Sequence, residues 1–129
     1  MTSEPARNSA LHALTAQVQS IIDGGRIGAP VFVRWTARIP PERHADDAVG
    51  EAVAAVAQWF ADQPQQVHQP GGSPRHASVH ARWANGAAAL IAAGPCLPGS
   101  RPGIDVAVFG ATGAIYHDGQ AIRRLDLQV

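Results

Sequence analysis

Lysine is missing from this 129-residue chain, and all ten of its cationic side chains are arginine. No lysine Schiff base, phosphate-loop lysine or lysine general acid can therefore form. Cysteine is nearly missing too, Cys96 being the only one. That excludes an intrachain disulfide and a thiolate zinc cluster. No apolar run approaches the roughly 20 residues of a membrane span. The opening Met1-Thr2-Ser3-Glu4-Pro5-Ala6-Arg7 lacks the basic-then-apolar pattern of a signal peptide. The expected compartment is the cytoplasm, with no membrane partner. Charge of either sign is not in excess, ten arginines facing ten Asp plus Glu. A general nucleic-acid binder carries a basic excess, so none is expected here.

What is present reads as one domain over residues 1–129. Leu11, Leu14, Val18, Ile21 and Ile22 recur at helical spacing. Asn8 or Ser9 is placed to cap that helix, and Gly24-Gly25 to end it in a left-handed turn. Val31, Val33, Trp35, Ala37 and Ile39 alternate with Phe32, Arg34, Thr36 and Arg38, which predicts a strand. A second helix is predicted from Asp46 to Phe60, capped by Asp46 or Asp47 and ended by Pro64. Its core stripe is Val49, Val53, Val56 and Phe60. Gly50, Ala54, Ala57 and Ala61 form a small-residue face suited to a close-packed backbone. Between Glu51 and Asp62 this helix has no ionisable group, hydroxyl or thiol.

Strands follow in series. Gln65 to Gln69 is a short one, and Pro70 to Pro74 is a loop. His76 to Ala84 and Ala87 to Ala93 meet at Asn85-Gly86, a two-residue hairpin signal. Ile104, Val106 and Val108 form another strand, turned by Gly110 to Gly113. Ala114 to His117 and Gln120 to Leu127 pair across Asp118-Gly119. The bulky core is expected to be Trp35, Trp59, Trp83, Phe32, Phe60 and Phe109. The fold class is α+β, with two helices on one face of an open, mostly antiparallel sheet. A cone-shaped NTF2-like fold is the alternative, although it begins with more helix.

Three segments in this order resemble the C-terminal domain of the glucose–fructose oxidoreductase / inositol dehydrogenase (Gfo/Idh/MocA) family. Val18 to Val31 is similar to its helix end, Gly-x-Ile-Gly turn and first long strand. Gly50 to Trp59, followed by Asp62-Gln63-Pro64-Gln65-Gln66-Val67, is similar to its central helix and turn, with Gln63 in place of the usual Gly. Val106 to Ile115 is similar to its Gly-x-x-Gly strand pair. The resemblance implies a domain built on an open sheet, joined in the family to a Rossmann domain that holds the dinucleotide.

The departures are chemical. This sequence has no counterpart of the Rossmann phosphate turn or its lysine, and Gly110-Ala111-Thr112-Gly113 opens no helix. The family's central helix carries a His and an Asp or Asn where Ala52 and Ala55 stand here, within one residue of alignment. Alanine transfers no proton. The resemblance thus implies no catalytic residue, no bound cofactor and no activity of the chain by itself.

Arg34, Arg38, His80 and Arg82 share one sheet face if their two strands belong to one sheet. The face would then be solvated, or an interface with a second copy or a Rossmann-domain protein, or a site for an anionic sugar or acid. The main expectation is a non-catalytic relative of the dehydrogenase domain that works in oligomerisation or as an accessory subunit. A small-molecule binding module is the second, and half of a split NAD(P)-dependent oxidoreductase the third. No metal site is expected. His76 and His80 lie about 13 Å apart along one strand, at about 3.3 Å per residue, beyond one zinc ion's reach without another strand. His12, His44, His68 and His117 are expected to be exposed and scattered. Cys96 is expected to be a passive loop thiol, and no Gly-x-Ser-x-Gly nucleophile elbow occurs.

Overall fold

The structure, a computed structural model, describes residues 4–118 and 122–126, with side chains over 10–118. Helix α1 (Glu4–Asp23) leads into strand β1 (Pro30–Ile39), and helix α2 (Ala45–Phe60) follows. The strands β2 (Gln66–His68), β3 (Ala77–Arg82), β4 (Ala88–Pro95), β5 (Gly103–Gly110), β6 (Gly113–Asp118) and β7 (Ile122–Asp126) complete the chain order. The described strands form one sheet in the order β2-β3-β4-β1-β5-β6-β7. Only β1 and β4 pair in parallel; every other neighbouring pair is antiparallel. The expected α+β architecture is therefore observed.

The alternation in β1 sorts its side chains cleanly. Val33, Trp35, Ala37 and Ile39 are buried, while Arg34 and Thr36 are exposed. Val79 and Ala81 of β3, Ala89 and Ile91 of β4, and Val106 and Val108 of β5 join the same buried layer. Helix α2 covers it with Val49, Ala52, Val56 and Trp59, and α1 adds Leu14 and Val18. Two tryptophans tie the layers together. Trp59 lies 5.7 Å from Trp35, ring centre to ring centre, and its Nε1 donates to the Thr15 carbonyl of α1 at 3.1 Å. Trp83 meets Phe60 edge-to-face at 4.5 Å and donates to the Asp62 carbonyl at 2.9 Å.

Two of the six expected core aromatics lie elsewhere. Phe32 and Phe109 are cross-strand partners on the opposite sheet face, half-buried, with ring centres 6.0 Å apart. Alternation assigned their parity correctly, but aromatic character alone suggested burial.

The helix ends also differ from expectation. Asn8 and Ser9 lie inside α1, which starts at Glu4. Neither Asp46 nor Asp47 caps α2: the cap residue is His44, without a side-chain hydrogen bond, and the Ala45 amide donates instead to the Pro74 carbonyl at 2.8 Å. Both carboxylates remain in the first turn, where they suit the helix dipole. The small-residue face is not a close-packed seam. Gly50, Ala54 and Ala61 are exposed, and nothing approaches within 4 Å of a side chain built at Gly50.

Helix α2 stops before Pro64, at Ala61, which takes a left-handed conformation (φ 58°) while Asp62 donates back to the Ala57 carbonyl. An L-residue there carries a steric cost that glycine lacks. Ala61→Gly is expected to raise stability by about 0.5 kcal/mol or more, through relief of that cost net of glycine's greater unfolded-state entropy. The urea midpoint should rise with an unchanged slope.

The Gly24-Gly25 turn is observed, Gly25 having φ 74°. The β3–β4 hairpin forms as expected but with a longer connection. Trp83 donates to the Ala87 carbonyl, Gly86 donates to the Trp83 carbonyl, and only Gly86 of the turn has positive φ (92°). A two-residue type I′ turn needs positive φ at both central residues, so the geometry is that of a three-residue loop. The turn between β6 and β7 lies outside the described residues. Gly110 serves close approach: a Cβ there would lie 2.1 Å from the Ile27 carbonyl oxygen. The segment before β1 docks there, with Ala111 and Thr112 donating to the Ala29 and Ile27 carbonyls.

Candidate functional site

The sheet has one covered face and one open face. Register builds the open face row by row. One row runs His80, Leu90, Arg34, Ala107, Tyr116, and the next runs Arg82, Ala88, Phe32, Phe109. All four residues expected on this face therefore lie on it, Arg38 standing two residues beyond Thr36 on β1, between Gly94 and Gly103. They are spread out. Strand β4 separates Arg34 from His80 and Arg82, so at about 4.8 Å per strand their backbones stand about 10 Å apart. Arg38 is engaged: its Nη1 lies 2.5 Å from Asp105 Oδ2, and its Nε donates to the Arg101 carbonyl at 3.4 Å. Arg34, His80 and Arg82 are exposed.

Between the exposed cations the middle of this face is small and apolar. Leu90 is 38% exposed at the centre of β4. Ala88, Ala92 and Ala107 are half-buried around it, and Phe32, Phe109 and Tyr116 line one side. Phe109 meets Tyr116 edge-to-face at 6.0 Å.

On the covered side, a cavity of about 660 Å³ opens between α1, the start of α2 and the end of β1. Its apolar wall includes Leu11, Leu14, Trp35, Ala37, Ile39 and Ala48. Gln17, Arg38, Glu42, Arg43, Glu51 and His117 supply polar atoms. Arg43 pairs with Glu51, and Arg38 with Asp105. Both guanidinium groups at the cavity thus already face carboxylates. His117 is half-buried, contrary to the expected exposure, and its Nδ1 has no hydrogen-bond partner among the described residues. Ala52 and Ala55 do not reach this cavity; they are 0% and 6% exposed in the core.

Sequence reasoning did not find the cavity. The Arg43–Glu51 pair joins a loop to the second turn of a helix, and no spacing rule marks it. His117 sits on a strand whose facing depends on pairing with β5, opposite Val106. Cys96 follows β4 half-buried, its amide donating to the Ile39 carbonyl at 3.2 Å. Among the described residues no three His, Cys, Asp or Glu side chains gather as a metal cluster, and no helix is long and apolar enough to cross a membrane.

Several solved oxidoreductases contain this fold. A NAD-binding oxidoreductase from Klebsiella pneumoniae superposes with a TM-score of 0.72 at 16% identity, over 88% of this chain and 40% of that one. A probable dehydrogenase from Thermotoga maritima gives 0.66 at 20% identity, over 89% and 44%. The UDP-N-acetylglucosamine 3-dehydrogenase of Acidithiobacillus ferrooxidans gives 0.63 at 15% identity, over 85% and 42%. This chain spans about two fifths of each, and at these identities the likeness is one of fold. No protein-family model matches the sequence, and no curated protein does.

Proposed function

We propose that the chain is a non-catalytic relative of the Gfo/Idh/MocA C-terminal domain, acting through its open sheet face in oligomerisation or as an accessory subunit. The observation that carries this reading is the sheet face that no described helix covers, with Leu90 and small apolar residues at its centre. A face about 30 Å wide and about 20 Å long, about 600 Å² in projection, is comparable to one side of a standard interface, about 800 Å² of accessible surface per partner. A self-pairing would be isologous, with the same patch on both copies. The fold shared with part of several oxidoreductases supports the kinship. The buried Ala52 and Ala55 support the lack of chemistry, since neither presents a polar atom to the cavity.

Arginine footprinting with phenylglyoxal tests the use of this face. Arg34 is expected to become protected as protein concentration rises, while the exposed loop residue Arg75 stays reactive. Equal labelling of both at every concentration would count against the reading.

The cavity favours a second reading, a small-molecule binding module. Its apolar wall and already paired arginines suit a neutral, sugar-sized ligand better than the anionic one suggested by the arginines alone. A saturating ligand, at about 100 times its dissociation constant, stabilises by about 2.7 kcal/mol, which raises the melting temperature by several degrees. Thermal shift against neutral sugars and sugar acids should show such a rise with neutral members first. No shift with any of them removes this second reading.

A further inference from the structure

Histidine spacing along β3 gives no metal site, but the neighbouring strand changes the geometry. The short strand β2 pairs antiparallel with β3 so that His68 stands directly opposite His80. Residues directly opposite in an antiparallel pair have Cβ atoms about 4.5–5.5 Å apart. The two imidazole centres are 6.2 Å apart, with their planes at 76°. A metal about 2 Å from one nitrogen of each ring sits about 3 Å from each ring centre, so bridged rings have centres about 5–6 Å apart. Small rotations about the side-chain bonds reach that geometry. Both side chains are exposed, so those rotations displace only solvent.

We infer that His68 and His80 form a two-histidine chelate for a late first-row divalent ion, Cu²⁺, Ni²⁺ or Zn²⁺. Neutral imidazole suits these ions, and affinity peaks at Cu²⁺. No carboxylate occupies the neighbouring positions of the pair; Gln66 faces Arg82 in the adjacent pairing position on this side of β2. The hard ions Mg²⁺ and Ca²⁺, which want several oxygens, are therefore excluded. In the unassembled chain solvent fills the remaining coordination positions. Arg82, two residues beyond His80, repels a cation and keeps the site weaker than a three-ligand one. His76, four residues before His80, stays outside the chelate because it lies about 13 Å away along the strand.

Calorimetric titration with Ni²⁺, in a Cys96→Ser background, tests the inference. The affinity is expected to fall at least tenfold in His68→Ala and equally in His80→Ala. The double variant should be no weaker than either, because losing one ring destroys the chelate. His76→Ala should bind like the parent. Electron paramagnetic resonance of the Cu²⁺ form should report two equatorial nitrogens in the parent and at most one in each single variant. Unchanged affinity in either His68→Ala or His80→Ala, or an equal loss in His76→Ala, would overturn the assignment. Because both positions are exposed, far-UV circular dichroism of the variants should match the parent.

Discussion

Trp59→Ala is expected to lower the unfolding free energy by about 3–5 kcal/mol, as truncation of a buried tryptophan does. The side chain is 2% exposed and packs against Trp35 with the ring planes tilted by 34°. Its Nε1 also holds the Thr15 carbonyl of α1. The core around it is rich in alanine, with Ala52, Ala55 and Ala57 on the same helix, and these short side chains cannot fill the space. A domain typically has about 5–15 kcal/mol in total, so the variant should be partly unfolded at body temperature. Trp59→Phe separates the two contributions. It keeps most of the ring packing and loses the hydrogen bond, and should cost about 1–2 kcal/mol. Urea denaturation followed by circular dichroism reads both. A Trp59→Ala loss under about 1 kcal/mol would mean that α1 and α2 do not share this contact in solution.

That coupling of two helices through one indole could not be read from the sequence, although both helices could. The stripe from Leu11 to Ile22 and the strand from Val31 to Ile39 carry their periods openly, because one face of each is buried and the other solvated. Trp59 was visible as a core residue, but its partner Thr15 is a backbone carbonyl 44 positions away. The helix caps differ from expectation for a similar reason. The Ala45 amide is satisfied by the Pro74 carbonyl, so Asp46 and Asp47 were not needed, and only tertiary structure supplies that acceptor. Strand order was equally hidden. Strand β1 lies between β4 and β5, and local hairpin signals say nothing about where an early strand inserts. Of the candidate site, the shared face of Arg34, Arg38, His80 and Arg82 was legible from alternation. The Asp105 carboxylate that occupies Arg38 was not, since the two are 67 residues apart.

Leu90→Arg is expected to weaken self-association by about thirtyfold or more. Truncation or charging of an anchor at an interface centre costs about 2 kcal/mol or more, and each 1.4 kcal/mol is about tenfold in the dissociation constant. Leu90 sits between His80 and Arg34 in one cross-strand row. An arginine there sets a third basic side chain in that row, and in a two-fold assembly the same row recurs on the facing copy. The cost to the fold should stay under about 1 kcal/mol, because the position is 38% exposed and a like charge across strands costs a few tenths. Val67→Arg provides the control. Val67 is 52% exposed at the sheet edge and shares the other face with Ala81, so its charge should leave association unchanged. Equal weakening by both substitutions would point to a general solubility effect rather than to the open face.

The molar mass of the wild-type chain in solution tests the central proposal most directly. Light scattering coupled to size exclusion, from micromolar to high concentration, should give about 27 kDa, twice the 13.5-kDa chain, or the mass of a complex with a co-purifying partner. A mass of 13.5 kDa throughout, with no partner co-purifying, would contradict it.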